Sequence, residues 1–351
     1  MTSVAEIHIP LIDTAGAAQP AAAGEPGGAV PAPAPGAVAV LTVAAAALEA
    51  AGGPAGWATA HRATVARAVA EHGAVLVRGL GLGSAAQVAG AAVALGVEPA
   101  PEQERFAARR THADGVYGSS EWPPDEPMCM HHEVSYCADV PSLAVFGCLT
   151  APAAGGATAV ADSGEVLRAL PDALVAPFVR HGWQLTRTYR EVGVAWTEAF
   201  GTDDPARIAA YCAGAAIDHE WLPDRALRTR QRRAAVLRHP ESGERIWFNQ
   251  IAFLNELTLD PVIRDYLTDV YGPDSLPFTT AYGDGTPIPA EVIETIDRAY
   301  RQATRREPWL PGDLMVVDNL RMAHSREAYE GERDIVVILG RPVRPAGHVL
   351  P

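Results

Sequence analysis

Several features that would place the chain outside the cell or in a membrane are scarce or missing. There are four cysteines, Cys129, Cys137, Cys148 and Cys212, with no CxxC pair and no framework spacing. A chain of 351 residues buries enough core to need no covalent staples, so free thiols in a reducing cytoplasm are expected. The N-terminus, "MTSVAEIHIPLIDTAG", lacks a basic segment leading into an apolar core, so no signal peptide is read there. No apolar run approaches the roughly 20 residues of a membrane span. The nearest, "AVAVLTVAAAALEA", is dominated by alanine and broken by Glu49. Long basic blocks are missing too. With 28 basic and 42 acidic residues the net charge is −14, which argues against a nucleic acid backbone as ligand. The densest basic cluster, "RALRTRQRR" at 225–233, reads as a solvated helix face. The expectation is a soluble, cytoplasmic protein with neither nucleic acid nor membrane as partner.

What is present is an ordered series of helix and strand signals. Residues 17–36, rich in Ala, Pro and Gly, read as a linker after a short strand-like "EIHIPLID", and residues 37–351 read as a single domain. "GWATAHRATVARAVAEHG" is helical and stops at Gly73; "AVLVRGL" is a buried strand and "SAAQVAGAAVALG" a second helix. "MCMHHEVSY", "SLAVFGCLT" and "ATAVAD" follow as strands between Pro and Gly turns. "SGEVLRALPDALVAPFVRHG" and "PAEVIETIDRAYRQATRR" are helical, and "AAVLRHPESGERIWFNQ" is a hairpin around residues 241–243. The chain ends with a strand, a loop and a strand in "PGDLMVVDNLRMAHS" and "ERDIVVILGRP". No repeat of 20–50 residues is present, and the pattern predicts a mixed α+β fold.

Chemistry concentrates in "CMHHEVSY". In an extended segment, side chains two apart share a face. His131 and Glu133 therefore point together and His132 away, unless the strand bends. Two such ligands clip a divalent ion, and a third from elsewhere leaves positions open for substrate and oxygen. Two histidines and one carboxylate are the ligand set of non-haem Fe(II) oxygenases. Among the other histidines, His324 stands out because it follows the buried run "LMVVDNL" through a short loop. Nine residues later Arg333 opens the apolar strand "DIVVILG". A buried arginine near a metal needs an acidic partner, and a dicarboxylic acid chelating the metal with its other end would supply one.

"HHE", "GGATAVAD", "WFNQIAF", "AYGDGTPI" and "PGDLMVVDNLRMAHSREAYEGER" resemble the TauD/TfdA-like family of Fe(II)/2-oxoglutarate-dependent oxygenases. The nearest branch is that of the syringomycin-type amino-acid hydroxylases of natural-product pathways. The likeness runs over about 60–341 and is strongest in three blocks, 117–162, 246–250 and 282–341. It implies a double-stranded β-helix, or jelly roll, with flanking helices. It matches His131, Glu133 and His324 to the iron ligands, Thr158 to the threonine that hydrogen-bonds 2-oxoglutarate, and Arg333 to the arginine on its distal carboxylate. Many members have aspartate where this chain has Glu133, as the amino-acid oxygenases do. Sulfonate-acting members carry a second arginine where this chain has Val337, which disfavours a sulfonate substrate. Arg341 shares strand parity with Arg333 and is an alternative partner.

The resemblance implies Fe(II) and 2-oxoglutarate as cofactors, O2 as co-substrate, and hydroxylation of an unactivated C–H bond with release of succinate and CO2. Halogenating relatives have a small residue in place of Glu133, so its presence favours hydroxylation, desaturation or epoxidation over halogenation. Candidate substrate contacts are Glu121 in the loop "YGSSEWPPDEP", Ser135, Asn249, Gln250 and Arg321. An amino acid or an amino-acid-derived intermediate, free or tethered to a carrier protein, fits. The acidic surface leans towards a free small molecule with a cationic side chain, since carrier proteins are usually acidic too. A His/Glu/His zinc hydrolase and a non-enzymatic cupin-like metal-binding module are the competing readings.

Overall fold

Ala74–Arg78 and Val140–Thr150 carry apolar residues at consecutive positions, a pattern that asks for cover on both faces of a sheet. The computed structural model describes residues 32–190, 192–223, 225–272 and 275–350; "EIHIPLID" and most of the 17–36 linker lie outside them. These runs form the middle of a seven-stranded sheet ordered Ala39–Thr42, Ala74–Arg78, Leu314–Asp318, Val140–Thr150, Asp334–Val343, Val116–Gly118, Thr111–Ala113. All neighbours are antiparallel except the first pair. Helices Pro54–His72 and Ala85–Ala94 cover one face, packing Val65, Val69 and Val88 onto Val77, Leu314 and Val336. A four-stranded sheet ordered Thr304–Arg305, Thr158–Asp162, Met322–Arg326, Met128–His131 belongs to the core that covers the other. There Val160 and Met322 meet Met315, Val337 and Leu339. The chain crosses between the sheets at 132–139 and at 319–321, which gives the expected double-stranded β-helix.

A further antiparallel sheet, Ile217–Trp221, Leu227–Arg233, Trp183–Tyr189 and Phe278–Tyr282, extends the molecule. It corrects one reading. The basic run at 225–233 is the strand Leu227–Arg233, not a helix face. Its arginines alternate with Leu227, Thr229 and Gln231, which are buried, and period-2 burial outweighs charge density as a signal. Even Arg233 is buried, its Nε donating to the Tyr136 carbonyl (2.7 Å) and Nη2 to that of Ala215 (2.9 Å). The helix expected over 163–182 divides at Pro171 into Ser163–Ala169 and Asp172–His181. The hairpin Val236–Arg238/Arg245–Trp247 and the helix Ala290–Ala303 form as expected.

Candidate active site

Strand Met128–His131 runs beside Met322–Arg326 with His131 directly opposite His324, ring centroids 4.4 Å apart. His324 thus sits on a strand rather than in the loop expected for it. The strand reading of 128–136 also needs correction. The strand ends at His131, and residues 133–136 form a turn in which Val134 has a φ of 43°. Glu133 reaches the side of His131 through that turn rather than through the pleat. Asn319 fixes it there. Its Oδ1 accepts from the Glu133 backbone N–H (2.8 Å) and its Nδ2 donates to the carbonyls of Glu133 (3.1 Å) and Pro141 (2.8 Å). His132 does face away, into the core, with Nδ1 2.6 Å from the Asn319 carbonyl and Nε2 2.8 Å from Ser163 Oγ.

His131, Glu133 and His324 are all buried and offer ligand atoms within 4.8 Å of one another. Nδ1 of His131 lies 2.8 Å from the Cys129 carbonyl, so it carries the proton and leaves the Nε2 lone pair free. Burial, helped by His324, pushes the His131 pKa down to about 3. Burial works to raise that of Glu133, but Arg109 and the two histidines outweigh it and hold the carboxyl well below its usual range. A neutral imidazole, an ionised carboxylate and a second imidazole whose Nε2 is 3.4 Å from Glu133 Oε1 are the donor set a divalent ion requires. Nδ1 of His324 is buried without a hydrogen-bond partner among the described residues.

One side of this cluster opens into a cavity of about 410 Å³ lined also by Phe146, Thr158, Arg333 and Val337. Arg333 stands just before strand Asp334–Val343. It donates from Nε to the Gly156 carbonyl (2.9 Å), from Nη2 to Thr158 Oγ1 (3.3 Å) and from Nη1 to Ser119 Oγ (3.5 Å). All three acceptors are neutral, and burial lowers the Arg333 pKa to about 10. Such a cation attracts an anion strongly. Oγ1 of Thr158 also accepts from Trp309 Nε1 (3.2 Å), so with two donors on its oxygen the hydroxyl has its own proton to offer. Gly156 has a φ of 69°, and a Cβ there would stand 2.8 Å from Tyr329 Cβ and 3.3 Å from Arg333 Cδ. Only glycine lets Arg333 lie across its carbonyl. Arg341 is exposed, has a φ of 53°, and turns its Nε to the Gly96 carbonyl, away from the cavity.

An adjoining cavity of about 330 Å³ shares Arg109, Met128, His131 and Glu133 with the first and is lined by Phe106, Tyr136, Gln250 and Phe253 among others. Of the substrate candidates, Gln250 is in this wall, with Ser135 behind it donating to its Oε1 (3.4 Å). The remaining three are placed elsewhere. Asn249 folds back on the backbone, donating to Ala235 and accepting from Ile251. Arg321 binds Asp162 (2.8 Å) and the carbonyls of Ala70 and Glu71. Glu121 is exposed and lines neither cavity. Conversely, four contacts were not anticipated: Asn319; Trp309; Phe253, stacked on His131 at 4.9 Å; and Arg109, whose Nη2 donates to both Glu133 oxygens at 3.0 Å. Their sequence signal is weak, because each works through a turn or loop that no hydrophobic period describes.

Comparison with known proteins agrees with this architecture. The family model "Taurine catabolism dioxygenase TauD, TfdA family" matches residues 46–339. The dapdiamide synthesis protein DdaC of Enterobacter agglomerans is 35% identical over 81% of this chain and 86% of its own. A clavaminate synthase-like protein of Arabidopsis thaliana is 26% identical over 77% and 82%. In fold, PvcB of Pseudomonas aeruginosa superposes with a TM-score of 0.51 at 16% identity, covering 90% of each chain. No helix among the described residues is long and apolar enough to cross a membrane. The extent of the family match and the identity to DdaC establish that the chain belongs to the TauD/TfdA family, and it is a dioxygenase dependent on Fe(II), 2-oxoglutarate and O2.

Proposed function

We propose that His131, Glu133 and His324 hold the Fe(II), that Thr158 and Arg333 hold the distal end of 2-oxoglutarate, and that the enzyme hydroxylates an amino acid or an amino-acid-derived natural-product intermediate. The observation that carries this is the sharing of one cavity by the three buried ligands and by an arginine whose hydrogen-bond acceptors are all neutral. Fe(II), when bound, supplies the redox chemistry that couples decarboxylation of 2-oxoglutarate to succinate and CO2 with oxygen insertion into a C–H bond. The chain's own residues supply the geometry. His131 presents a fixed tautomer, Asn319 and the 133–136 turn fix Glu133, and Arg333 with Thr158 orients a carboxylate. Phe146, Val337 and Phe253 keep water from the reacting centre. Retention of Glu133 supports hydroxylation over halogenation, and the name of the relative DdaC supports a biosynthetic substrate. Val337 in the cavity wall argues against a sulfonate. Nothing in the family match favours the zinc-hydrolase or binding-module readings.

The test is succinate formation from 2-oxoglutarate with Fe(II), ascorbate and O2, against amino acids supplied free and then loaded on a carrier protein. Stimulation by one of them is the expected result and decides between free and tethered substrate. No stimulation, together with no binding of Fe(II) and 2-oxoglutarate in anaerobic titration, would overturn the proposal.

A further inference from the structure

The buried charges beside the 330 Å³ cavity stop balancing once a divalent ion takes its place. Arg109 and Glu102 both lie in the wall, their side chains 7% and 3% exposed. Nη2 of Arg109 is committed to Glu133. Nε stands 3.8 Å from Glu102 Oε1, beyond hydrogen-bond reach. Nη1 is buried with no hydrogen-bond partner among the described residues. Glu102 is itself shared, with its Oε2 3.6 Å from Arg105 Nε. Two guanidiniums therefore face two carboxylates, and one of the carboxylates belongs to the metal set. A metal ion draws on the same oxygen lone pairs as Arg109, so loading the site leaves the arginine short of negative charge in a place where an unpaired N–H is costly.

The chain contains no lysine, so the cationic side chains that an anionic substrate group can meet are those of arginine and protonated histidine. Arg333 lies on the Thr158 side of the metal set, and Arg326 turns Nη1 and Nη2 to the carbonyls of Trp122, Pro123 and Glu126. That leaves Arg109. Phe106, Met128, Tyr136 and Phe253 around it offer apolar contact for a short carbon skeleton. Because the same guanidinium touches Glu133, an anion on Nη1 holds its carbon skeleton beside the metal ligands.

We propose, on the basis of the oxygenase reading above, that Arg109 receives the side-chain carboxylate of the substrate through Nη1, so that the substrate is an acidic amino acid or its derivative rather than a compound with a cationic side chain. The carboxylate replaces the share of Glu133 that the metal takes, and Nη2 continues to steady the other Glu133 oxygen. A neutral amide in its place leaves the guanidinium undercompensated.

The test is a binding titration without O2 on protein loaded with Mn(II) and 2-oxoglutarate. The probes are the matched pairs L-aspartate and L-asparagine, and L-glutamate and L-glutamine, each free and as a carrier-protein thioester. An acid should bind about tenfold tighter than its amide. Arg109→Gln should remove that preference while Mn(II) and 2-oxoglutarate still bind. Glu102→Gln, which removes the competing acid and leaves Arg109 in place, should tighten acid binding severalfold and gives an answer even if Arg109→Gln does not fold. Equal binding of acid and amide, binding of no probe, or an unchanged preference in Arg109→Gln each overturns the proposal. So does loss of Mn(II) by Arg109→Gln alone, which would make Arg109 a positioning residue for Glu133. If wild-type protein fails to bind Mn(II) and 2-oxoglutarate at all, the oxygenase reading falls and this proposal falls with it.

Discussion

Arg333 makes three neutral hydrogen bonds from a buried guanidinium, and its fork geometry allows it to hold Gly156 and Thr158 while still meeting a carboxylate. A lysine at this position has one compact ammonium that cannot do all of this at once. Arg333→Lys should therefore weaken 2-oxoglutarate binding by about 10- to 100-fold, the loss of one charge-assisted fork. Mn(II) affinity should be unchanged, because the proposed ligands His131, Glu133 and His324 are not among the hydrogen-bond partners of Arg333. Anaerobic titration of both ligands checks this, and wild-type affinity for 2-oxoglutarate in the variant would remove Arg333 from the site. Residues of this kind are the legible ones. His131, Glu133, Thr158 and Arg333 each stand next to a strand signal or a glycine pair that the sequence displays openly. Arg109 is not legible, because it lies in the irregular stretch 107–110, where periodicity assigns no side to a residue. Its partner Glu133 is 24 residues away, beyond the strands Thr111–Ala113, Val116–Gly118 and Met128–His131. Asn319 is hidden for a related reason. Its value depends on the turn at 319–321 meeting the turn at 133–136, a long-range encounter between two segments that each look like ordinary punctuation.

At the scale of elements, the site is a pairing of two hairpin-like crossings. Leu314–Asp318 leaves the large sheet and returns as Met322–Arg326 in the small one, carrying His324 into register with His131. The apolar runs announced both sheets, and the helices around them were legible from spacing and caps such as Ser84 and Gly73. Where the readings failed, at 128–136, read as strand throughout, and at 225–233, read as a helix face, the cause was local. A chain leaving a sheet keeps hydrophobic residues past its last hydrogen bond, and a run of arginines conceals an alternation that burial obeys. The same strand Met322–Arg326 also fixes the segment in front of the site. Arg326, buried, gives Nη1 to the carbonyl of Trp122 (3.0 Å) and Nη2 to those of Pro123 and Glu126 (2.6 Å for Glu126). Trp122 in turn packs towards Phe253, which stacks on His131. Losing several charged-donor bonds should cost the segment on the order of 3 kcal/mol of local stability. Arg326→Gln is thus expected to speed amide hydrogen exchange across 119–127 at least about tenfold, with the helices at 54–72 and 290–303 unaffected. Uniform acceleration throughout the chain would mean that Arg326 supports the whole sheet rather than this segment.

At the scale of the whole molecule, the C-terminal tail is tied back into the interior by a histidine held neutral. His348 is fully buried, and its Nε2 donates to the Cys137 carbonyl (3.0 Å). The Ala234 N–H donates to the His348 carbonyl (2.8 Å), so the tail bridges the 133–137 turn and the strand region after Arg233. Burial, with Arg233 nearby, pushes the His348 pKa down to about 4. In the unfolded chain the same imidazole titrates near 6.5. The sign follows directly. Between these values the unfolded state binds a proton that the folded state refuses, so stability is full above about pH 6.5 and is lost as the pH falls towards 4. The size is about 2–3 kcal/mol from this group, taking 1.36 kcal/mol per pKa unit as an upper guide. His348→Gln keeps an amide N–H near the position of Nε2 but does not titrate. Urea unfolding of both metal-free proteins at pH 7.5 and pH 4.5 should therefore show wild-type stability falling further than that of the variant by about that amount. His131 and His132, also held neutral by burial, add the same acid sensitivity to both proteins and cancel in the difference. If the two stabilities fall in parallel, His348 takes up its proton in the folded state, and the tail is held chiefly by backbone contacts such as those of His348 and Leu350 with Ala234 and Arg232.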